Sequence, residues 1–267
     1  MAKFGFIGIG NMGGAIASAV AKVVAREEIL VAAKHPERAA AFAAGLGCTA
    51  ADNRTVAQQA KFMVLGVKPQ FMEEVLRELR PILSGRRDVV LVTMAAGLTM
   101  ANIEAMAGGR FPVIRIMPNT PAQIGEGVIL YDANERVKEA DLAEFLAALA
   151  PAGMLDRLPE KLIDAGSALA GSGPAYVSMF MEALADGAVT CGLPRDKALQ
   201  YAAQTLIGTA QLMLQTGKHP GQMKDAVCSP GGSTIVGVRE LEKGGMRAAV
   251  MEAVIATYRK NLEFIKK

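Results

Sequence analysis

The stretch Lys3-Phe4-Gly5-Phe6-Ile7 runs without a break into Gly8-Ile9-Gly10-Asn11-Met12-Gly13, and this junction constrains the fold more than any other part of the chain. A short apolar run, glycines spaced G-x-G-x-x-G and a helix-compatible segment from Met12 through Val24 are the parts of a dinucleotide-binding βα unit. In that reading Gly8 permits the tight turn, Gly10 lets a pyrophosphate approach the backbone, and Gly13 lets helix and strand pack closely. Asn11 and Met12 complete the loop, where the phosphates meet the positive end of the helix. A glycine turn without a ligand has the same spacing, so the context of the loop carries the reading.

That context repeats the unit. Apolar runs predict strands near 3–8, 29–33, 61–66, 88–93 and 111–116, with two more around 126–131 and 152–156. Amphipathic or alanine-rich segments predict helices over about 12–25, 36–45, 69–80, 99–107 and 135–149, and Pro36, Pro69 and Thr99 stand where helix starts want them. The expected class is α/β: an N-terminal Rossmann-type, doubly wound, mostly parallel sheet. After Pro159 no further β-branched run appears, which predicts an all-α C-terminal domain. The expected division is 1–157 for the NAD(P)-binding domain and 158–267 for the helical one.

Within the helical half, the segment 174–190 is apolar nearly all round, with Glu182 and Asp186 its only charges. Such a helix needs cover on almost every side. A domain of roughly 110 residues supplies that poorly, so packing against a second copy is the expected solution.

Composition removes other classes. A net charge of only +3 on 267 residues lacks the basic excess of a nucleic-acid binder. Cys48, Cys191 and Cys228 are odd in number and widely spaced, which favours reduced thiols and a cytoplasmic setting. His35 and His219 lie beyond helical reach of any cysteine, so no metal site is expected. The uncharged run from Phe4 to Ala21, with Ala17-Ser18-Ala19, imitates a signal peptide. Its glycines suit a strand, turn and helix better, and the expectation is that it forms the first strand of the fold. The second uncharged stretch, 165–181, is broken by Gly166, Gly171, Gly173 and Pro174 and does not read as a membrane span.

At the end of the second predicted strand an NAD-preferring site would carry an acid for the ribose 2′-hydroxyl. Here Ala32-Ala33 is followed by Lys34, His35 and Arg38, which favours the 2′-phosphate of NADPH and leaves NADH possible. Three further loops at strand ends are expected at the same crevice: Gly66-Val67-Lys68-Pro69, Met94-Ala95-Ala96-Gly97 and Met117-Pro118-Asn119-Thr120-Pro121. From them Val67, Lys68, Pro69, Ala95, Ala96 and Asn119 join Lys34 and the glycine loop as candidate cofactor contacts.

A second anion-gripping device lies at Ser229-Pro230-Gly231-Gly232-Ser233-Thr234, just before a helix expected to begin near Ile235. Glycines followed by two hydroxyl residues at a helix start offer several N–H groups and hydroxyls to one carboxylate or phosphate. An ordinary helix cap is the plainer alternative.

Together with Val67-Lys68-Pro69, Arg115 to Pro121 and Gly171-Ser172-Gly173-Pro174-Ala175-Tyr176, the two loops resemble the pyrroline-5-carboxylate reductase family from the first strand into the last helices. The motif Asp225 to Thr234 is the most specific part of the likeness. The resemblance implies NAD(P)H-dependent reduction of Δ1-pyrroline-5-carboxylate to L-proline, the final step of proline biosynthesis. It also implies a helical domain that interleaves with a second subunit, in homodimers or larger rings of dimers. Carried over by position, Ser229, Gly232, Ser233 and Thr234 would bind the substrate, its carboxylate on Ser229 and the backbone, and the Thr234 hydroxyl would face the ring nitrogen as the catalytic group. The chain departs from the pattern at Ser233, where threonine or alanine is usual, and at Ala33-Lys34-His35, where relatives carry a small polar residue.

Two other readings share the fold class. A β-hydroxyacid dehydrogenase would carry a lysine on the helix after the Gly173 turn, and the stretch Gly173 to Glu182 has none. A non-enzymatic NADPH-binding scaffold would leave the Ser229–Thr234 loop without a purpose.

Overall fold

The structure is a computed structural model that describes residues 2–265. The chain forms two compact units: one runs to Ser172 and resumes at Thr257, and the other is Gly173–Ala256.

Among the described residues, eight strands make the sheet of the first unit: β1 (Phe4–Ile7), β2 (Ile29–Ala32), β3 (Thr49–Ala50), β4 (Phe62–Leu65), β5 (Val90–Thr93), β6 (Val113–Met117), β7 (Gly127–Ala133) and β8 (Gly153–Arg157). Their order is β3-β2-β1-β4-β5-β6-β7-β8, and β6 with β7 is the one antiparallel pair. The strand order reverses between β1 and β4. Loops leaving the carboxyl ends of those two strands therefore part to opposite faces and open a crevice.

Helices α1 (Asn11–Val20), α2 (Pro36–Leu46), α3 (Asn53–Gln59), α4 (Pro69–Leu83), α5 (Met100–Ala107), α6 (Glu139–Leu149) and α7 (Glu160–Ala170) join the sheet in this unit, with the end of the chain's last helix from Thr257. Strands β1, β2, β4, β5 and β6 are buried throughout, as a sheet covered on both faces requires. Alternation splits their side chains between two cores. Phe4, Phe6, Phe62 and Phe145 meet on one face, with Phe4 and Phe62 ring centroids 5.0 Å apart, while Ile7, Leu65, Met72, Leu76 and Leu91 fill the other.

The boundaries read from sequence need four changes. Helix α1 stops at Val20 in a turn, five residues short of expectation. Helix α4 continues through Pro81 to Leu83, because the proline falls in the last turn and Leu79 and Leu83 remain buried. Helix α6 starts at Glu139 rather than near 135, since Asn134 is tied to strand β6 through Val113 N (3.1 Å) and Phe111 O (3.0 Å). Strand β3 and helix α3 were not expected: two strand residues give no alternation, and the polar run Asn53 to Gln59 hides its apolar face at Val56 and Ala57.

The second unit holds α8 (Gly173–Thr190), α9 (Arg195–Thr216), α10 (Pro220–Ala226), α11 (Ser233–Lys243) and the start of α12 (Met246–Ile265). Its buried side chains are three alanines, Ala185, Ala198 and Ala202, where α8 meets α9. Val177, Met179, Leu184, Ile207, Leu212 and Leu214 are all exposed. Among the described residues no helix is long and apolar enough to cross a membrane.

Candidate active site

The glycine loop is built by contact between the ends of β1 and β4. Gly8 has φ +94°, a conformation that side-chain-bearing residues rarely adopt, and its N–H donates to Ala32 O at 2.9 Å. Gly13 lies so near that a Cβ there would stand 2.1 Å from Gly8 O, and one on Gly66 would stand 2.2 Å from the same atom. Gly10 is different. A Cβ on it would meet no protein atom within 4 Å, so no steric contact in the fold requires the missing side chain. Its backbone borders open space at the start of α1, whose N-cap has no side-chain hydrogen bond. Backbone donors at a helix N-terminus, with open space where a side chain would stand, fit the pyrophosphate of a dinucleotide.

Beside this loop lies a cavity of about 920 Å³ whose lining includes Gly8, Ile9, Gly10, Ala33, Lys34, His35, Arg38, Val67 and Lys68. Three helices begin there without a side-chain cap: α1 at Gly10, α2 at His35 and α4 at Lys68. Uncapped first turns add partial positive charge to that of Lys34, Arg38 and Lys68. Lys34 Nζ stands 5.8 Å from the centroid of the Phe71 ring, which forms another part of the wall. Farther along α4, Glu74 and Glu78 face the same cavity.

Sequence reasoning missed one wall of this cavity, Ala50 to Arg54, because it missed β3 and α3. Asn53 and Arg54 add an amide and a guanidinium to the polar lining. The signal available was Asp52 three residues before Thr55: its carboxylate caps α3 by accepting from Thr55 N at 2.7 Å. Hydrogen bonds from the Thr55 backbone and hydroxyl hold the Asp52 carboxyl below the usual carboxylate range.

The other candidates have different surroundings. Asn11 borders a smaller recess of about 330 Å³ with Gly10, Gly14 and Arg38. Met12 and Gly13 form the first turn of α1, and Pro69 begins α4. Ala95, Ala96 and Asn119 follow β5 and β6 and do not line the large cavity. The Asn119 side chain is engaged within the fold, donating to Ala170 O at 3.0 Å and accepting from Val128 N at 2.9 Å.

In the second unit, Gly232 is the N-cap of α11 and carries no side-chain cap bond. Its N–H donates to Ser229 O at 3.0 Å, closing the turn, and a Cβ on Gly232 would stand 2.4 Å from the Ser229 hydroxyl. A side chain at Gly232 would therefore displace the Ser229 hydroxyl from its place over the helix start. Ser233 and Thr234 follow as exposed first-turn residues. Upstream, hydrogen bonding to the Asp225 carboxylate pushes the Lys224 ammonium pKa up. No group of three or more His, Cys, Asp or Glu side chains able to hold a metal occurs among the described residues.

Comparison with known proteins supplies two family models. Residues 160–264 match pyrroline-5-carboxylate reductase dimerisation, and residues 3–97 match NADP oxidoreductase coenzyme F420-dependent. Pyrroline-5-carboxylate reductase of Pisum sativum is 41% identical over 97% of this chain and 94% of its own length. The enzyme of that name from Escherichia coli K12 is 40% identical over 99% of this chain and 98% of its own. The crystal structure of Plasmodium falciparum pyrroline carboxylate reductase with NADP bound superposes with a TM-score of 0.90 at 30% identity, covering 99% of this chain and 98% of that one.

Proposed function

The chain belongs to the pyrroline-5-carboxylate reductase family, and from that premise we propose that it reduces Δ1-pyrroline-5-carboxylate to L-proline, the final step of proline biosynthesis. The observation that carries the reading is kinship at about 40% identity along nearly the whole chain, spanning both anion loops. The open cradle at Gly10 supports nucleotide binding independently of that kinship.

NADPH, when bound, supplies a hydride. The chain's own part begins with holding it: the first-turn N–H groups of α1 take the pyrophosphate. Lys34, Arg38 and Arg54 supply cations for a 2′-phosphate, and no acid at Ala33 competes for a free 2′-hydroxyl. NADPH is accordingly the preferred cofactor and NADH the poorer one.

Ser229 and the N–H groups of Ser233 and Thr234 hold the substrate carboxylate at the start of α11, and Gly232, whose own N–H is engaged by Ser229 O, shapes the turn that presents them. The Thr234 hydroxyl orients the ring nitrogen. A cyclic imine, protonated or hydrogen-bonded, is already electrophilic: hydride adds to carbon, the C=N π pair moves to nitrogen, and solvent supplies the proton found on the amine. Orientation and a donor near nitrogen are then sufficient. The histidines are not called upon, and both stand at helix starts, His35 at α2 and His219 at α10.

In this reading residues 1–157 serve the nucleotide and 158–267 serve substrate and assembly, in the cytoplasm. The exposed apolar residues of α8, α9 and their neighbours support a homodimer or a ring of dimers, since a large uncovered apolar surface marks an interface. The reading is tested by following NADPH with pyrroline-5-carboxylate and, separately, NADP reduction with β-hydroxyacids. NADPH consumption with the imine alone is expected. Activity confined to the hydroxyacids, or none with either, would overturn it.

A further inference from the structure

Buried polar side chains are costly to place, and here they are not scattered. Among the described residues they are Thr93, Arg115, Asn119, Asp164 and Ser167: Thr93 ends β5, Arg115 is the middle residue of β6, Asn119 follows β6, and the other two are on α7. Thr93 and Arg115 are register partners across β5 and β6. Arg115 is 1% exposed and donates through Nη2 to Asp164 Oδ1 at 2.8 Å, with Nη1 3.6 Å from Glu160 Oε1. Its Nε is buried with no hydrogen-bond partner.

Further hydrogen bonds hold α7 at both ends. At the first residue, Glu160 N donates to Asp132 Oδ2 at 2.8 Å, and Glu160 Oε1 accepts from Met100 N, the start of α5, at 2.6 Å. At the last residue, Ala170 O accepts from the Asn119 amide. Helix α7 is thus tied to the residue that ends the 94–99 loop and to Asn119 within the 117–121 loop. A buried ion pair with an orphaned donor is a poor source of stability, because desolvation offsets its attraction. What it does provide is a single permitted geometry.

Resting on the reductase reading, we propose that Arg115 is a positioning residue: by locking α7 against β5 and β6 it fixes the 94–97 and 117–121 loops. These loops lie apart from the cavity around Ala33, carry the candidate contacts Ala95, Ala96 and Asn119, and are assigned to the nicotinamide half of the cofactor. Arg115 touches none of the reacting atoms. It acts through Asp164 and Glu160, and the adenosine cavity around Ala33, Arg38 and Arg54 shares no residue with its network.

The test uses Arg115→Met/Asp164→Leu, which replaces the buried pair by apolar groups and leaves Glu160, partly exposed and still bonded to Met100 N, as the carboxylate that loses a cation, beside Arg115→Lys, which keeps a cation opposite Asp164. The double variant is expected to melt near the wild type and to bind 2′,5′-ADP, a probe of the adenosine cavity, within about twofold. Its turnover with saturating NADPH and pyrroline-5-carboxylate should fall roughly ten- to a hundred-fold, the cost of misplacing a reacting group by about an ångström. Arg115→Lys should regain part of that loss. Wild-type turnover in the double variant would overturn the inference, as would equal losses of NADPH and 2′,5′-ADP binding, the mark of a merely structural role. Should the wild type itself fail to reduce the imine, the reductase reading falls, and the ligand pair alone decides: the double variant must then weaken NADPH more than 2′,5′-ADP.

Discussion

Gly10→Ala and Gly13→Ala are nearly the same change three residues apart, and they should do opposite things. At Gly13 the new methyl would stand 2.1 Å from Gly8 O, more than an ångström inside an ordinary contact of about 3.5 Å. The atom it meets is backbone, and Gly8 is already fixed by its bond to Ala32 O. Overpacking of this kind costs about 1–3 kcal/mol, with the upper end expected where no side chain can swing away. At about 2–4 °C per kcal/mol for a chain of this size, the melting temperature should fall by roughly 6–12 °C. At Gly10, φ −64° and ψ −170° suit any residue, and the methyl meets no protein atom. The weaker N-cap and the stiffer unfolded chain offset each other to within about 1 kcal/mol. In the proposed site the methyl stands where the pyrophosphate approaches Gly10, and NADPH affinity should drop at least about tenfold, or 1.4 kcal/mol. Thermal melts without cofactor and fluorescence titration with NADPH separate the two effects. A Gly10→Ala protein that binds NADPH within twofold of wild type would refute the assignment of the cradle, and an unchanged melt for Gly13→Ala would refute the contact.

Ala33→Asp should move the ratio of kcat/KM for NADPH over NADH toward NADH by roughly ten- to a hundred-fold, because a carboxylate there repels a 2′-phosphate; an unmoved ratio would mean that Ala33 does not face the ribose. Thr234→Ala should lower turnover by roughly ten- to a thousand-fold, whereas Ser229→Ala should mainly raise KM for the imine, since a carboxylate contact is made equally in ground and transition states. Unchanged turnover in Thr234→Ala would reduce that residue to a helix cap. Ser178→Lys puts a charge among the uncovered apolar residues of α8 and should lower both assembly and stability, read by sedimentation and melting; a wild-type chain that sediments as a folded monomer at low micromolar concentration would contradict the oligomer.

The parts of the fold that announce themselves in sequence are those with a strong local pattern. Strands β1, β4 and β5 are apolar runs next to glycine or proline punctuation, and helices α2 and α5 start at a proline and a capping threonine. Helix α3 has no such pattern over seven mostly polar residues, and with it went Asn53 and Arg54 of the cavity wall. Arg115 was legible as a motif residue and illegible as a buried one. A single cation in Val113-Ile114-Arg115-Ile116-Met117 has nothing nearby in sequence to pair with, because Asp164 is 49 residues away and arrives only when α7 docks. Asn119 was read as a cofactor contact from its loop, and long-range packing gives its amide two partners within the fold. The uncovered apolar side of α8 was readable directly, since 174–190 offers charge only at Glu182 and Asp186.

Hydride transfer from NADPH to the carbon of a cyclic imine is the reaction proposed for this chain. The most direct measurement supplies NADPH deuterated on its transferable face together with unlabelled pyrroline-5-carboxylate and locates the label in the product. One deuterium is expected per molecule of L-proline, on the ring carbon next to nitrogen and remote from the carboxylate, with one NADPH consumed for each proline formed. Proline formed without label, or NADPH oxidised without proline, would contradict it.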